Sequence, residues 1–95
     1  MSIGNVVQTN FDFKVFPNPS TTGNIQLEWN NLESNELNAQ LFDVTGKLVV
    51  EQDLASNPNT LNSQNMDLSH LTSGSYYLKL ETEGKLGTEK IIIQK

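Results

Sequence analysis

The sequence predicts an all-β protein, specifically an immunoglobulin-like antiparallel β-sandwich of about seven strands. Short segments in which apolar and polar residues alternate recur along the chain, as in strands with one buried face. Clusters of Gly, Pro, Asn and Ser separate these segments. No stretch has the apolar spacing of an amphipathic helix, and 95 residues are enough for one sandwich domain.

The first three predicted strands show the clearest alternation. Phe11, Phe13 and Val15 share one face of the first strand. Every second side chain of a strand points to the same side, so Trp29 is predicted to face the core. The inward residues of the second and third strands are Ile25, Leu27, Trp29, Leu37, Ala39 and Leu41.

The next three predicted strands are less uniform. Residues 48–50 form a short apolar run, and 76–81 alternates apolar and polar residues. Segment 61–68 is the weakest candidate because it is rich in Asn and Gln. Residues 56–60 before it are predicted to form a long surface loop.

The last predicted strand, 89–95, carries three consecutive β-branched residues. Such a run fits a strand that is buried on one face and largely covered on the other. At a sheet edge, the flanking lysines would instead discourage unwanted pairing. A role in recognition is compatible with either position. The residues concerned are Lys90, Ile91, Ile92, Ile93 and Lys95.

Pro17, Asn18 and Pro19 form the first of three turn motifs. Each proline fixes φ and drives the residue before it towards extended geometry, so the segment is predicted to be a stiff bend. Gly23 then permits a tight reversal into the second predicted strand. A place in a recognition surface is the functional interpretation of this motif.

Asp43, Gly46 and Lys47 belong to the second motif, which is predicted to be a hairpin turn. Gly46 can adopt the positive φ that a tight turn needs, and Asp43 can accept hydrogen bonds from backbone N–H groups two residues on. A calcium site is not predicted, because one carboxylate falls short of the oxygen ligands that Ca²⁺ requires.

Leu71, Gly74 and Tyr76 form the third motif, which is predicted to be a tyrosine corner. In this interpretation Leu71 fills the core, Gly74 makes the bend, and the Tyr76 hydroxyl bonds to upstream backbone. Tyr77 is predicted to face outward, where an aromatic ring could contribute to binding.

Composition argues against several functional classes. The net charge is −5 and there is no Arg, which disfavours nucleic acid and anionic membranes as partners. There is no Cys, and the single histidine, His70, has no evident catalytic partner. The chain is therefore not expected to be an enzyme, and no catalytic, metal-binding or cofactor-binding residues are predicted. No apolar run is long enough to insert into a membrane.

The three motifs and the last strand, taken in order, resemble the type A C-terminal sorting domain of the type IX secretion system of Bacteroidetes. The resemblance covers residues 13–95. Each motif is weak alone, and their order over this length is specific. The matching sequences are Phe-Pro-Asn-Pro-Ser at 16–20, Asp-Val-Thr-Gly-Lys at 43–47, Leu-x-x-Gly-x-Tyr-Tyr-Leu at 71–78 and Lys-Ile-Ile-Ile-Gln-Lys at 90–95.

The resemblance implies a non-enzymatic signal that directs a fused cargo through the periplasm and outer membrane to the cell surface or medium. The implied partners are the type IX translocon, its outer-membrane shuttle protein, a sortase-like cysteine peptidase and an upstream cargo domain. Cleavage is implied in or before residues 1–12. The family's strongest export requirement, its extreme C-terminus, maps onto Lys90 to Lys95.

Two segments are predicted, with one boundary between them. Residues 1–10 are small and polar, as in a linker from the cargo, and residues 11–95 form the sorting domain. The opening residues lack the basic start and apolar block of a secretory signal. We therefore expect this chain to be the C-terminal piece of a longer protein, with Met1 as an added start residue.

A carbohydrate-binding or adhesive β-sandwich accessory module is the alternative interpretation. Such modules usually present two or three coplanar exposed aromatic rings beside amide groups. Because Trp29 is predicted to face inward, Phe42 and Tyr77 are the remaining candidates. Neighbouring positions on one flat exposed face would favour this alternative.

Overall fold

A computed structural model describes residues 9–10, 12–30, 35–58, 60–82 and 84–95. The described residues form strands and no helix, which confirms the all-β prediction. These residues therefore include no helix that could cross a membrane. The strands are β1 (Thr9–Asn10), β2 (Phe13–Phe16), β3 (Asn24–Trp29), β4 (Glu36–Phe42), β5 (Leu48–Ala55), β6 (Asn62–Asp67), β7 (Gly74–Thr82) and β8 (Lys85–Ile93).

Strands β2 to β8 correspond to the seven predicted segments. Strand β8 begins earlier than predicted, at Lys85, and ends at Ile93. The two-residue β1 lies within the predicted linker. Some predicted features lie outside the described residues. They are most of the linker (residues 1–8), Phe11 of the first predicted strand and Asn59 of the predicted loop.

The strands form two sheets packed face to face, as predicted for a sandwich. The larger sheet has the order β1-β8-β7-β4-β5 and the smaller one β2-β3-β6. Neighbouring strands are antiparallel except β1 and β8, which are parallel. The chain moves between the sheets several times, so each sheet is assembled from residues far apart in sequence.

The core lies between the sheets and follows the predicted alternation, because β3, β4 and β7 bury every second side chain. Trp29 is 2 % exposed, and its indole Nε1 donates to the buried Ser56 hydroxyl at 3.0 Å. The prediction that Leu71 fills the core is wrong: it is half-buried at the core margin, because it lies in the loop before β7.

The polar strand β6 pairs with β3 over six residues. Met66 supplies its apolar contact with the core. Asn62 is buried, and its side chain holds the preceding loop through the backbone N–H of Asn57 (2.8 Å) and the carbonyls of Asn57 and Thr60 (both 3.0 Å). The buried amide of Asn62 therefore anchors the loop, and the polar strand is paired with β3 along its whole length.

The tyrosine corner is confirmed. The Tyr76 ring is 6 % exposed, and its hydroxyl donates to the Thr72 carbonyl at 2.7 Å. Tyr77 points outward with 48 % exposure, as predicted.

Tyr76→Phe should lower the free energy of unfolding by about 1 kcal/mol, because the Thr72 carbonyl loses its donor. Urea denaturation of the purified chain measures this change. Tyr77→Phe is the matched control, since that hydroxyl is on the exposed face. Equal stability of the two variants would contradict a structural role for the Tyr76 hydroxyl.

Candidate recognition site

The first motif lies along the outer edge of β8, and we call residues 17–20 the edge clasp. Asn18 Nδ2 donates to the Lys90 carbonyl at 2.8 Å, and Asn18 Oδ1 accepts from the Ile92 N–H at 3.0 Å. Ser20 continues the pairing: its N–H donates to the Ile92 carbonyl and its carbonyl accepts from the Gln94 N–H, both at 2.8 Å. The edge of β8 is therefore paired over its last residues.

The chemistry of the edge clasp explains its sequence. The Asn18 side-chain amide has both N–H donors and an acceptor oxygen, as a peptide group has a donor and an acceptor, so it can pair with a strand edge. Pro17 and Pro19 lack N–H groups and cannot continue a regular strand, and both are preceded by cis peptide bonds. The predicted stiff bend is present, but its pairing with residues more than 70 positions away was not predicted.

Strand β8 resolves the two interpretations offered for the isoleucine run. Ile91 and Ile93 are buried in the core and Ile92 is half-buried on the outward face. The strand is also paired on both sides in this region, by β7 and by the edge clasp. The run therefore lies in a covered strand, as the first interpretation predicts. The open sheet edge of the second interpretation is absent at residues 90–94.

Gly23 joins the first motif to the third. Its φ is +92°, and a Cβ at this position would lie 2.6 Å from the Ser69 Cα. The Gly23 carbonyl accepts from the Leu68 N–H at 2.9 Å, and its N–H donates to the hydroxyl of the fully buried Ser20 at 2.9 Å. Only glycine fits both the backbone angle and this close approach.

The second motif is the predicted hairpin turn. Asp43 Oδ1 accepts hydrogen bonds from the Thr45 hydroxyl (2.6 Å), the Thr45 N–H (2.9 Å) and the Lys47 N–H (3.1 Å). These bonds, with the Lys47 charge, lower the pKa of the Asp43 carboxyl. Gly46 has a φ of +87°, as the turn requires. Lys47 is exposed.

The last residue of the sequence, Lys95, is hydrogen-bonded to the loop of residues 68–73, which leads into the tyrosine corner. Lys95 N–H donates to the Ser73 hydroxyl at 3.0 Å, and its ammonium donates to the Ser69 carbonyl. Asp67 accepts from the Ser69 N–H at 2.9 Å. Ser69 is the largest cause of the lowered pKa of Asp67, with smaller contributions from His70 and Lys95. His70 is exposed in the predicted surface turn.

The three motifs and the end of β8 meet at one end of the sandwich, which we call the motif end. Strand pairing establishes this, because Gly74 lies opposite Ile93, Phe42 opposite Tyr77 and Asn24 opposite Asp67. Thr9 lies opposite Lys85, at the other end of β8.

No group of three or more potential metal-ligating side chains occurs among the described residues. The fold and site together define a β-sandwich module that presents a surface built from turns and strand ends.

A family model described as the secretion system C-terminal sorting domain matches residues 14–94. The chain belongs to this family, whose members are C-terminal signals for type IX secretion. Membership implies that a type IX system handles a cargo joined to the N-terminal side and exports it to the cell surface or medium. A comparison with curated proteins finds no match.

Gly23→Ala should destabilise the domain by at least about 3 kcal/mol, because unfavourable φ and a clash with backbone combine. Gly46→Ala is the matched control: its φ is also positive, but nothing lies within 4 Å of the added Cβ. That variant should lose only about 1–2 kcal/mol. Urea denaturation of both variants measures the difference, and equal losses would contradict the close approach of Gly23 to Ser69.

Stability should fall in acid partly through Asp43 and Asp67. Their pKa values are lowered in the folded state, so their contribution is full above the unfolded pKa and is lost as pH falls through the folded pKa. The Asp43→Asn/Asp67→Asn variant should therefore lose less Tm than the parent between about pH 5 and about pH 2. An equal loss of Tm in the parent and in this variant would contradict the contribution of the two carboxylates.

Proposed function

We propose that this domain is a non-enzymatic address label recognised at its motif end. The partners proposed are the type IX translocon and its outer-membrane shuttle protein, which would carry a fused cargo from the periplasm across the outer membrane. A sortase-like cysteine peptidase would then cleave in or before residues 1–12. Family membership over residues 14–94 supports the system to which these partners belong.

One geometric observation carries the proposal that the motif end is the recognised surface. The chain enters the described domain at Thr9, opposite Lys85, whereas the last strand finishes at Ile93 at the other end. A cargo joined ahead of Thr9 is therefore attached away from the motifs. Lys47 and Lys90 are exposed near this end and are available to a partner.

The alternative carbohydrate-binding function is not favoured: its two candidate aromatic residues are neighbours, but Phe42 is half-buried. Phe42 lies directly opposite Tyr77 on the outward face of the larger sheet. This arrangement is compatible with binding through an aromatic surface in general, and the family match assigns the chain to secretion signals.

A fusion of this chain behind a fluorescent protein that carries a periplasmic signal tests the proposal. In a host with a type IX system, fluorescence should reach the surface or medium. Deletion of residues 90–95 should leave the fusion in the periplasm, but it also removes Ile91 and Ile93 from the core. Each buried side chain of this kind contributes about 1.5–3 kcal/mol, so the deletion alone cannot separate folding from recognition.

Lys90→Gln/Lys95→Gln makes that separation. Lys90 is exposed and Lys95 loses one exposed hydrogen bond, so the variant should lose at most about 1 kcal/mol. Normal melting with lost export would support direct recognition of the last residues. Lys14→Gln/Lys85→Gln, with the same charge change elsewhere, should be exported normally. Export of the fusion after full deletion of residues 90–95 would contradict the proposal.

A further inference from the structure

We propose that an outward row of four side chains on the larger sheet is a docking strip for a protein partner that presents an apolar depression rimmed by carboxylates. The inference rests on the proposed sorting function and names a surface for it that joins Tyr77 and Lys90, from the matching sequences, to two residues that flank the second motif. The outward row consists of Leu48, Phe42, Tyr77 and Lys90.

Strand register makes the outward row continuous. Leu48 lies opposite Phe42, Phe42 opposite Tyr77, and Tyr77 opposite Lys90, across four adjacent strands. Directly opposed side chains have Cβ atoms about 4.5–5.5 Å apart, so Tyr77 is in reach of both Phe42 and Lys90. The Leu48–Phe42 pair lies beside a shift of register between Leu41 and Phe42. Three strand spacings give the row a length of roughly 14 Å.

The three motif-bearing segments assemble this row. The hairpin turn of the second motif brings Leu48 back beside Phe42. Tyr77 directly follows the tyrosine corner, whose buried ring fixes the start of β7. Lys90 is held in register by the Asn18 amide of the edge clasp. The hydrogen bonds of each motif therefore position one outward side chain.

The outward row exposes large apolar side chains on a solvent-facing side of the sheet, where polar residues are usual. Tyr77 is 48 % exposed and Leu48 40 %, and Val44 projects from the adjacent turn at 71 %. These are three of the five exposed large hydrophobic residues among those described. The next row on the same strands, Gln40 opposite Lys79, is polar. A bounded apolar strip of this kind is typical of an interaction surface.

Charge around the row indicates the chemistry of the partner. The chain is acidic overall, at −5, yet Lys90 ends the row and Lys47 adjoins Leu48. Carboxylates also lie nearby: Asp43 binds N–H groups of its own turn, Glu51 accepts from the amides of Asn38 and Gln40, and Glu89 is exposed next to Lys90. The two exposed ammonium groups lie at opposite ends of the apolar strip, where carboxylates at the rim of a partner would complement them.

A second copy of this chain is a poor occupant for the same reason. Two outward rows packed face to face would bring the lysines of both copies together, and like charges in an interface are unfavourable. The partner inferred is therefore a different protein.

The test compares export of three fluorescent fusions in a type IX host. Phe42→Thr/Tyr77→Thr keeps strand-forming residues while removing both rings. It should reduce exported fluorescence about tenfold, the loss expected when aromatic residues central to an interface are removed. Gln40→Thr/Lys79→Thr alters the neighbouring row of the same strands and should be exported like the unsubstituted fusion.

Two further measurements keep the test decisive if the double variant folds poorly. Lys47→Glu/Lys90→Glu reverses the flanking charges without touching the core and should lower export, whereas Lys14→Glu/Lys85→Glu should not. A photoreactive phenylalanine analogue at position 77 should crosslink to a protein in the host and lose that adduct in a strain without the translocon. The same analogue at position 79 should give markedly less adduct.

Several results would overturn the inference. Normal export of a stably folded Phe42→Thr/Tyr77→Thr fusion would do so while leaving the sorting function intact. Retardation of the purified chain by a soluble polysaccharide would also overturn the inference if that retardation depends on Tyr77. Self-association of the chain through the outward row, measured by sedimentation, would overturn it too. If the unsubstituted fusion is not exported at all, the proposed function fails and this inference fails with it.

Discussion

Pairing of the outer edge of β8 is the interaction on which the rest of the motif end depends. An unpaired strand edge leaves N–H and C=O groups available to any other chain. Here the Asn18 side chain and the Ser20 backbone take up that edge between residues 90 and 94. This pairing buries Ser20, which in turn holds Gly23 against the Ser69 backbone. The loop at Ser69 then receives the last residue, Lys95.

Much of the fold follows from local patterns in the sequence. Alternation in β3, β4 and β7 predicts both the strands and their buried faces, because burial of one face imposes a period of two. The tyrosine corner and the Asp43 turn are also predictable, since each involves residues within five positions of one another. These features need no knowledge of how distant segments meet.

The edge clasp is not predictable in this way. Asn18 and Ile92 are 74 positions apart, and an Asn between two prolines gives no local sign of its partner. The outward row is similar, because Phe42 and Tyr77 become neighbours only through the β4–β7 register. The prediction that Leu71 fills the core fails because a loop residue beside a core can be covered on one side only. Long-range register, which one sequence does not display, accounts for each of these cases.

The same long-range contacts bear on how the domain can act as a signal. Its motif end combines residues from the β2–β3 connection, the 67–73 loop and the last strand. Hydrogen bonds such as those from Asn18 to Lys90 and from Lys95 to Ser69 join these segments. Contacts between segments so distant in sequence form only when the loops between them have closed. The surface is therefore complete only in the folded domain, and a partner that reads it distinguishes a folded chain from an unfolded one. A short linear signal, whose residues are adjacent in sequence, would not make that distinction.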